Sequence, residues 1–303
     1  MAIVHADGNG LGKLIMNLSE LLKTESNEVV KKTYITLSKQ IQAATEKAAQ
    51  TAFKTVIDEQ WQKEIEKDKK VYYPFRPVVL GGDDLTVIIR ADLAYSFTKV
   101  YLKQFEIETK AHFAALDSLN LPELNQGLTA CAGIAYIKQS YPFHYGVRLA
   151  EDLTAEAKTF SKNINSDFAP SSLNFYKVQA SFIDKLSVMK KRTHTPIRDG
   201  ISFDNGPYLI NQMEDKAGIE ELQQSLDFII GEKKKDKTSI AKLRQLAAEL
   251  HKDKSKAIFM LDRMENKNEA IFKELNLKKL RDSLTNDHPE TTLINDLIVL
   301  SSF

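Results

Sequence analysis

Gly81-Gly82-Asp83-Asp84 stands between the apolar runs Val78-Val79-Leu80 and Leu85-Thr86-Val87-Ile88-Ile89. Strand-like sequence on both sides of two φ-permissive glycines predicts a β-hairpin, and the adjacent carboxylates put acidic groups at its tip. Glycine and aspartate also fill plain surface turns, so the weight of this signal depends on a second segment, Ala2-Ile3-Val4-His5-Ala6-Asp7-Gly8-Asn9-Gly10-Leu11-Gly12-Lys13. There a short apolar run stops at an aspartate. A glycine-rich turn then leads into Leu11, Leu14, Ile15, Leu18, Leu21 and Leu22, which recur at helical spacing. The order is strand, loop, helix. If this first strand pairs beside the hairpin, Asp7 faces Asp83 and Asp84 across neighbouring strands about 5 Å apart. Three carboxylates then converge on one point, a costly arrangement without cations.

Hard oxygen donors in one cleft favour magnesium or manganese over zinc, which would want histidine or thiolate partners. Paired ions of this kind, about 4 Å apart, can activate an attacking hydroxyl and steady the leaving oxygen of an in-line phosphoryl displacement. Gly8-Asn9-Gly10-Leu11-Gly12 lets backbone N–H groups approach phosphate oxygens, the following helix offers its positive end, and Lys13 adds a point charge. The competing reading of the loop is a tight strand-to-helix turn and nothing more. It is not the mononucleotide P-loop, whose spacing and Lys-Ser/Thr ending are missing.

A chain of 303 residues with 43% hydrophobic content can bury more than one core. Its 42 basic and 41 acidic residues leave a net charge of +1. That balance argues against broad, sequence-independent coating of nucleic acid but leaves room for a local phosphate pocket. Cys131 is the only cysteine, which excludes an intrachain disulfide and a multi-cysteine zinc site and points to a reducing compartment. No signal-peptide pattern occurs and no apolar run approaches the ~20 residues needed to cross a bilayer. The expectation is a cytoplasmic protein. His5 and His144 read as packing or surface residues rather than general bases, because a metal-activated hydroxyl has no need of a tuned imidazole.

The coarse order over residues 1–183 is a strand at Ala2 to Ala6, a helix from Gly10, a long helix from about Glu28 to Lys67 and the Asp83 hairpin. A helix from about Leu93 to Leu116, a strand at Leu128 to Ile137, a helix from His144 to Lys162 and a strand at Leu173 to Val178 follow. With the leading helices merged this is an α+β, ferredoxin-like βαββαβ order with a trailing strand. It makes the first strand and the hairpin spatial neighbours. Residues 184–303 read as a helical domain, with Lys190-Lys191-Arg192, Thr195-Pro196 and Asn205-Gly206-Pro207 marking the connection and Glu232–Lys237 a solvated charged loop.

These segments resemble the catalytic palm and trailing helical domain of the large polymerase subunit of type III CRISPR effector complexes, and more distantly the GGDEF diguanylate cyclases and nucleotidyl cyclases. The matching pieces are Asp7-Gly8-Asn9-Gly10-Leu11-Gly12, Gly81-Gly82-Asp83-Asp84-Leu85, Thr129 to Ala135, and Leu149-Ala150-Glu151-Asp152-Leu153 with Ala157-Lys158. Gly206-Pro207-Tyr208-Leu209 and Leu243-Arg244-Gln245-Leu246 look like the helical region. The resemblance implies an enzyme that converts ATP into cyclic or linear oligoadenylate second messengers, which switch on antiviral effectors. It implies Asp7, Asp83 and Asp84 as catalytic residues, with the Gly8 carbonyl completing a Mg2+ or Mn2+ site. Gly8, Asn9, Gly10, Leu11, Gly12, Lys13, Gly82, Cys131 and Lys158 become the nucleotide contacts. Cys131 stands where the family usually has a serine near the bound base, Lys158 where it places a lysine on the triphosphate, and Arg148 is a weaker phosphate candidate.

The large subunit normally carries a nuclease domain, a zinc-binding region and a first palm ahead of this one, so the chain looks like a standalone, minimal polymerase. One palm binds one donor nucleotide, and a phosphodiester needs a second nucleotide held with its hydroxyl in line. A palm-to-palm homodimer is therefore expected. The rival readings are a diguanylate or mononucleotide cyclase and a non-catalytic nucleotide-sensing subunit.

Overall fold

The protein is described by a computed structural model over residues 1–67, 72–179, 184–195, 200–213, 218–234, 239–267 and 269–303. The domain boundary placed at residue 183, the Pro196 junction and Lys235 to Lys237 of the charged run lie outside these residues. The chain divides into two compact units, Met1–Ser181 with Pro207–Asn211, and Phe182–Gly206 with Gln212–Phe303.

The first unit opens with β1 (Ala2–Asn9), α1 (Leu11–Leu21) and α2 (Asn27–Phe53). A π-helical turn, Lys54–Asp58, then leads into α3 (Glu59–Lys67). The single helix predicted here is thus interrupted. Its buried positions run Ala44, Ala48, Ala52 and then Ile57, and the last step of five residues is kept on the same face by an i→i+5 turn. The hairpin follows as β2 (Phe75–Gly81) and β3 (Asp84–Ile89), then α4 (Ala91–Phe113), a 3₁₀ turn and α5 (Pro122–Gln126). β4 (Thr129–Tyr136), α6 (Phe143–Ile164) and β5 (Ser172–Lys177) complete the contiguous part.

The second unit contains α7 (Leu186–His194) and β6 (Ile201–Ser202). After β7 (Tyr208–Leu209), which belongs to the first unit, come α8 (Ile219–Lys234), α9 (Ser239–Leu250), α10 (Lys254–Lys267), α11 (Glu269–Glu274), α12 (Leu277–Asn286), β8 (Glu290–Thr291) and α13 (Ile294–Leu300). Its core is a cluster that includes Ile229, Leu243, Leu246, Leu261, Ile271, Leu280 and Ile294. Lys190-Lys191-Arg192, read from the sequence as part of a connection, instead lies in α7. Burial of Leu186 and Met189 gives that helix an apolar side.

The sheet order is β2-β3-β1-β4-β5-β7. β2, β3, β1 and β4 are mutually antiparallel neighbours, the arrangement of a ferredoxin-like βαββαβ unit, while β5 joins β4 in parallel through α6. Tyr208-Leu209, assigned from sequence to the helical region, is corrected by the structure to an edge strand beside β5. Both side chains are buried, and the Tyr208 ring stacks on Phe175 at 6.0 Å.

Alternation along β1 turns Ile3, His5 and Asp7 one way and Val4, Ala6 and Gly8 the other. The first face lies under α6: Thr154 donates to the His5 carbonyl at 3.0 Å, and a Cβ on Gly146 would lie 2.7 Å from Ile3 Cδ1. α6 approaches closely because β4 carries Gly133, where a Cβ would meet the Ala150 carbonyl oxygen at 2.3 Å and the Thr154 nitrogen at 2.7 Å. Backbone cannot swing aside as a long side chain can. Gly133→Ala is therefore expected to cost about 2–3 kcal/mol of stability, measured by denaturant titration; an unchanged midpoint would contradict this close packing.

Candidate functional site

The β1–β3 ladder pairs Ala2 with Ile89 through to Ala6 with Leu85. One step further along this antiparallel register, Asp7 comes opposite Asp84 and Gly8 comes up to Asp83. The turn between β2 and β3 is made by Gly82, at φ +60°, and Asp83. Thr45 of α2 holds it by donating to the Gly82 carbonyl at 2.7 Å. A Cβ on Gly8 would lie 2.7 Å from Asp83 Oδ2 and 2.8 Å from Asp83 Cβ. The Asp83 side chain thus occupies the space that a side chain at position 8 would need.

His5, Asp7 and Asp84, all partly buried, offer ligand atoms that lie within 4.8 Å of one another. His5 Nδ1 is also 2.9 Å from Thr86 Oγ1. Lys158 of α6 reaches in from the side, where its ammonium pairs with Asp7 and donates to the Gly8 carbonyl at 2.8 Å. A positive charge therefore already sits against two of the groups expected to bind a cation.

Burial pushes the Asp83 carboxyl above the usual carboxylate range, and the charges of Asp7 and Asp84 push it further, against its own backbone hydrogen bond and Lys158. Asp84 is raised by burial and then by Asp7, while His5 and Lys158 pull it down. The Tyr101 phenol is fully buried and has no hydrogen-bond partner among the described residues; its pKa is raised by burial, with the charges of Asp83, Asp84 and Asp7 adding to the effect. Such mutual opposition is what a divalent cation relieves. The donor set, carboxylates with a backbone carbonyl at hand, fits magnesium or manganese.

Beside the cluster, Gly10 adopts φ +83° as the N-cap of α1, with no side-chain cap on the helix end. A cleft of about 230 Å³ opens there, lined by Asn9, Gly10, Lys13, Glu123, Thr129 and Asp167 among others. Asn9 is buried, and its Nδ2 donates to Thr129 Oγ1 at 3.0 Å and to Cys131 Sγ at 3.2 Å. Its Oδ1 has no partner among the described residues. Glu123 Oε1 accepts from Asn17 at 2.6 Å and its Oε2 is likewise unpaired. Two unsatisfied acceptors are costly to maintain.

The structure thus gathers Asp7, Gly8, Asp83, Asp84 and Lys158, with Gly82 in the supporting turn. Asn9, Gly10, Gly12 and Lys13 line the adjoining cleft, Leu11 starts α1, and Lys13 pairs with Asp167 at 3.0 Å. Cys131 departs from expectation. Its side chain is fully buried and its Sγ contacts Asn9, Ser161 and Ser172, so it braces Asn9 from behind and presents nothing to a ligand. Arg148 is exposed on α6, ten residues before Lys158 and so about 15 Å away along the helix. His144 packs on Tyr145 at the start of α6.

Sequence reasoning set His5 aside, although strand alternation already put it on the Asp7 side. Glu123 carried no signal, since its approach depends on the fold of the segment before β4.

The Cas10/Cmr2, second palm domain family matches residues 1–166. Comparison with curated proteins finds no match. Among solved structures, a Csm1-Csm4 cassette in complex with cA4 aligns at 12% identity and a TM-score of 0.47, covering 98% of this chain and 35% of that one. A Csm1-Csm4 cassette in complex with cA3 aligns at 11% identity and a TM-score of 0.47, covering 99% and 36%. The chain therefore spans little more than a third of the length of these solved chains.

Proposed function

Since the chain belongs to the Cas10/Cmr2 second palm domain family, we propose that it is a magnesium-dependent nucleotidyltransferase in antiviral signalling, which converts ATP into a cyclic di- or oligonucleotide with release of pyrophosphate. The observation that carries this reading is the convergence of Asp7, Asp84 and Asp83 around Gly8. Asp7, Asp83, Asp84 and the Gly8 carbonyl would hold the ion. Bound there, magnesium supplies a lowered pKa for the acceptor ribose hydroxyl and neutralises charge on the leaving pyrophosphate.

This chain's own groups do the rest. Lys158 leaves Asp7 for the triphosphate, exchanging one anionic partner for another. The uncapped start of α1 and the Gly8–Gly12 backbone receive phosphate oxygens. Asn9 Oδ1 and Glu123 Oε2, the unpaired acceptors of the cleft, suit the two N–H groups of an exocyclic amine such as that of adenine, whereas uracil, with its single N3–H, would leave at least one of them unpaired. The acceptor nucleotide comes from a second copy facing the first, and α1 exposes apolar side chains suited to such a contact, with Met16 70% accessible and Leu21 45%.

Incubation with labelled ATP, GTP or UTP and magnesium, followed by mass spectrometry of the products and sedimentation of the protein, tests this. ATP is expected to yield pyrophosphate and a cyclic product from a dimer. A guanine product alone would transfer the reading to a diguanylate cyclase, turnover by a monomer would remove the dimer, and no product would leave a nucleotide-sensing subunit.

A further inference from the structure

The helical unit has a groove between α9 and α10 that the palm chemistry does not use. Its volume is about 530 Å³, and Lys242, Lys256, Phe259, Met260, Arg263 and Lys267 are prominent in its lining. On α10 the inward positions Ala257, Leu261 and Met264 are buried in the core, whereas Phe259 is 66% accessible. A phenylalanine this exposed contributes little to folding. Arg263 stands one helical turn beyond it and Lys267 one turn beyond that, with Lys242 facing them from α9.

The cations are also available. Among the described residues, Lys242, Arg263 and Lys267 have no ion-pair partner, and Lys256 has only Asp253 at 3.8 Å. Among the described residues, Glu249 is the only carboxylate in the lining. Like charges gathered round one aromatic ring raise the free energy of the empty groove, and an anion lowers it.

We propose that this groove binds a nucleotide, with the base stacked on Phe259 and the phosphates held by Lys242, Lys256, Arg263 and Lys267. The volume suits a ligand from a mononucleotide to a cyclic dinucleotide. The chain's net charge of +1 speaks against a long polymer tracking its surface. An amphipathic peptide helix would need a continuous apolar strip, and here Phe259 and Met260 supply only a short one above the buried Met264. Gln245 and Glu249 offer polar groups for a base edge.

Isothermal titration of the full chain in EDTA, with ATP, a cyclic dinucleotide, a four-nucleotide oligo(A) RNA and inorganic triphosphate as probes, tests the site separately from the palm. At least one nucleotide probe is expected to bind, and more tightly than triphosphate. Phe259→Ala should weaken that binding about 5- to 150-fold, the scale of one lost base stack, and leave triphosphate unaffected. Arg263→Ala should weaken every probe and flatten the salt dependence. The tightest probe identifies the source as substrate, product or oligomer. Binding that persists in the Asp83→Ala, Asp84→Ala double variant and is weakened there by Phe259→Ala belongs to this groove, whereas binding that Phe259→Ala leaves untouched belongs elsewhere and counts against the proposal. The proposal is overturned if no nucleotide binds, if Phe259→Ala binds like the parent chain, or if triphosphate binds as well as the nucleotides.

Discussion

Asp83→Ala is expected to slow the proposed magnesium-dependent pyrophosphate release by about a thousandfold, the upper range for removing a preorganised charge-stabilising group, and at the same time to raise the melting temperature of the metal-free protein at neutral pH. Both effects have one cause. Burial raises the Asp83 carboxyl, and Asp7 and Asp84 raise it further. A carboxyl whose native pKa lies above its unfolded value contributes stability that is fully present below the unfolded value, about 3.8, and is lost as pH rises through the raised native value. Above the unfolded value the raised carboxyl therefore opposes folding, and alanine removes that opposition.

The parent chain should melt higher with added magnesium or manganese, through binding to the native state alone, and the variant should lose most of that gain. Metal-free parent protein should also lose stability as pH rises above about 3.8 and through the raised native value, more than the variant does. Thermal melts with and without metal, beside a pyrophosphate assay, read all of these. Unchanged turnover would remove Asp83 from the chemistry, and a lower melting temperature would remove the repulsion argument.

The second large effect is expected from a single methyl group. Gly8→Ala sets a carbon 2.7 Å from Asp83 Oδ2 and 2.8 Å from Asp83 Cβ. The carboxylate could rotate away from such a contact, but its Cβ moves only with the hairpin turn. That turn is held by Thr45 through the Gly82 carbonyl. A displacement near 1 Å at a reacting centre costs about a hundredfold in rate, so turnover should fall by that amount although no polar group has been removed. Gly231→Ala, on α8 with nothing within 4 Å of the added carbon, should leave turnover unchanged. Equal activity of Gly8→Ala and the parent would mean that Asp83 does not need its observed position.

The palm was legible because its chemistry lies where local sequence rules are strong. Apolar runs broken by Gly-Gly-Asp-Asp and by Asp-Gly-Asn-Gly define strand ends, and strand ends place side chains with little freedom. Legibility failed where tertiary packing decides. Tyr208-Leu209 is too short to announce a strand and is one only because Ser172 and Leu173 offer it an edge. The π turn at Lys54–Asp58 follows from keeping Ile57 in register with the core, which no propensity reports. Cys131 was matched to its position along β4, but the direction of its side chain was set by Asn9, Ser161 and Ser172. Strand alternation puts His5 two residues before Asp7 on the same face, within 4.8 Å of the Asp7 and Asp84 ligand atoms.

The return of β7 to the palm sheet also bears on how the protein is made and dissected. The chain leaves the first unit after β5, builds α7 and β6 elsewhere, comes back for Pro207–Asn211 and departs again. A fragment ending at the apparent boundary would expose the outer hydrogen-bonding edge of β5, inviting strand addition by another molecule. During translation, that edge stays open until the ribosome has delivered Tyr208 and Leu209.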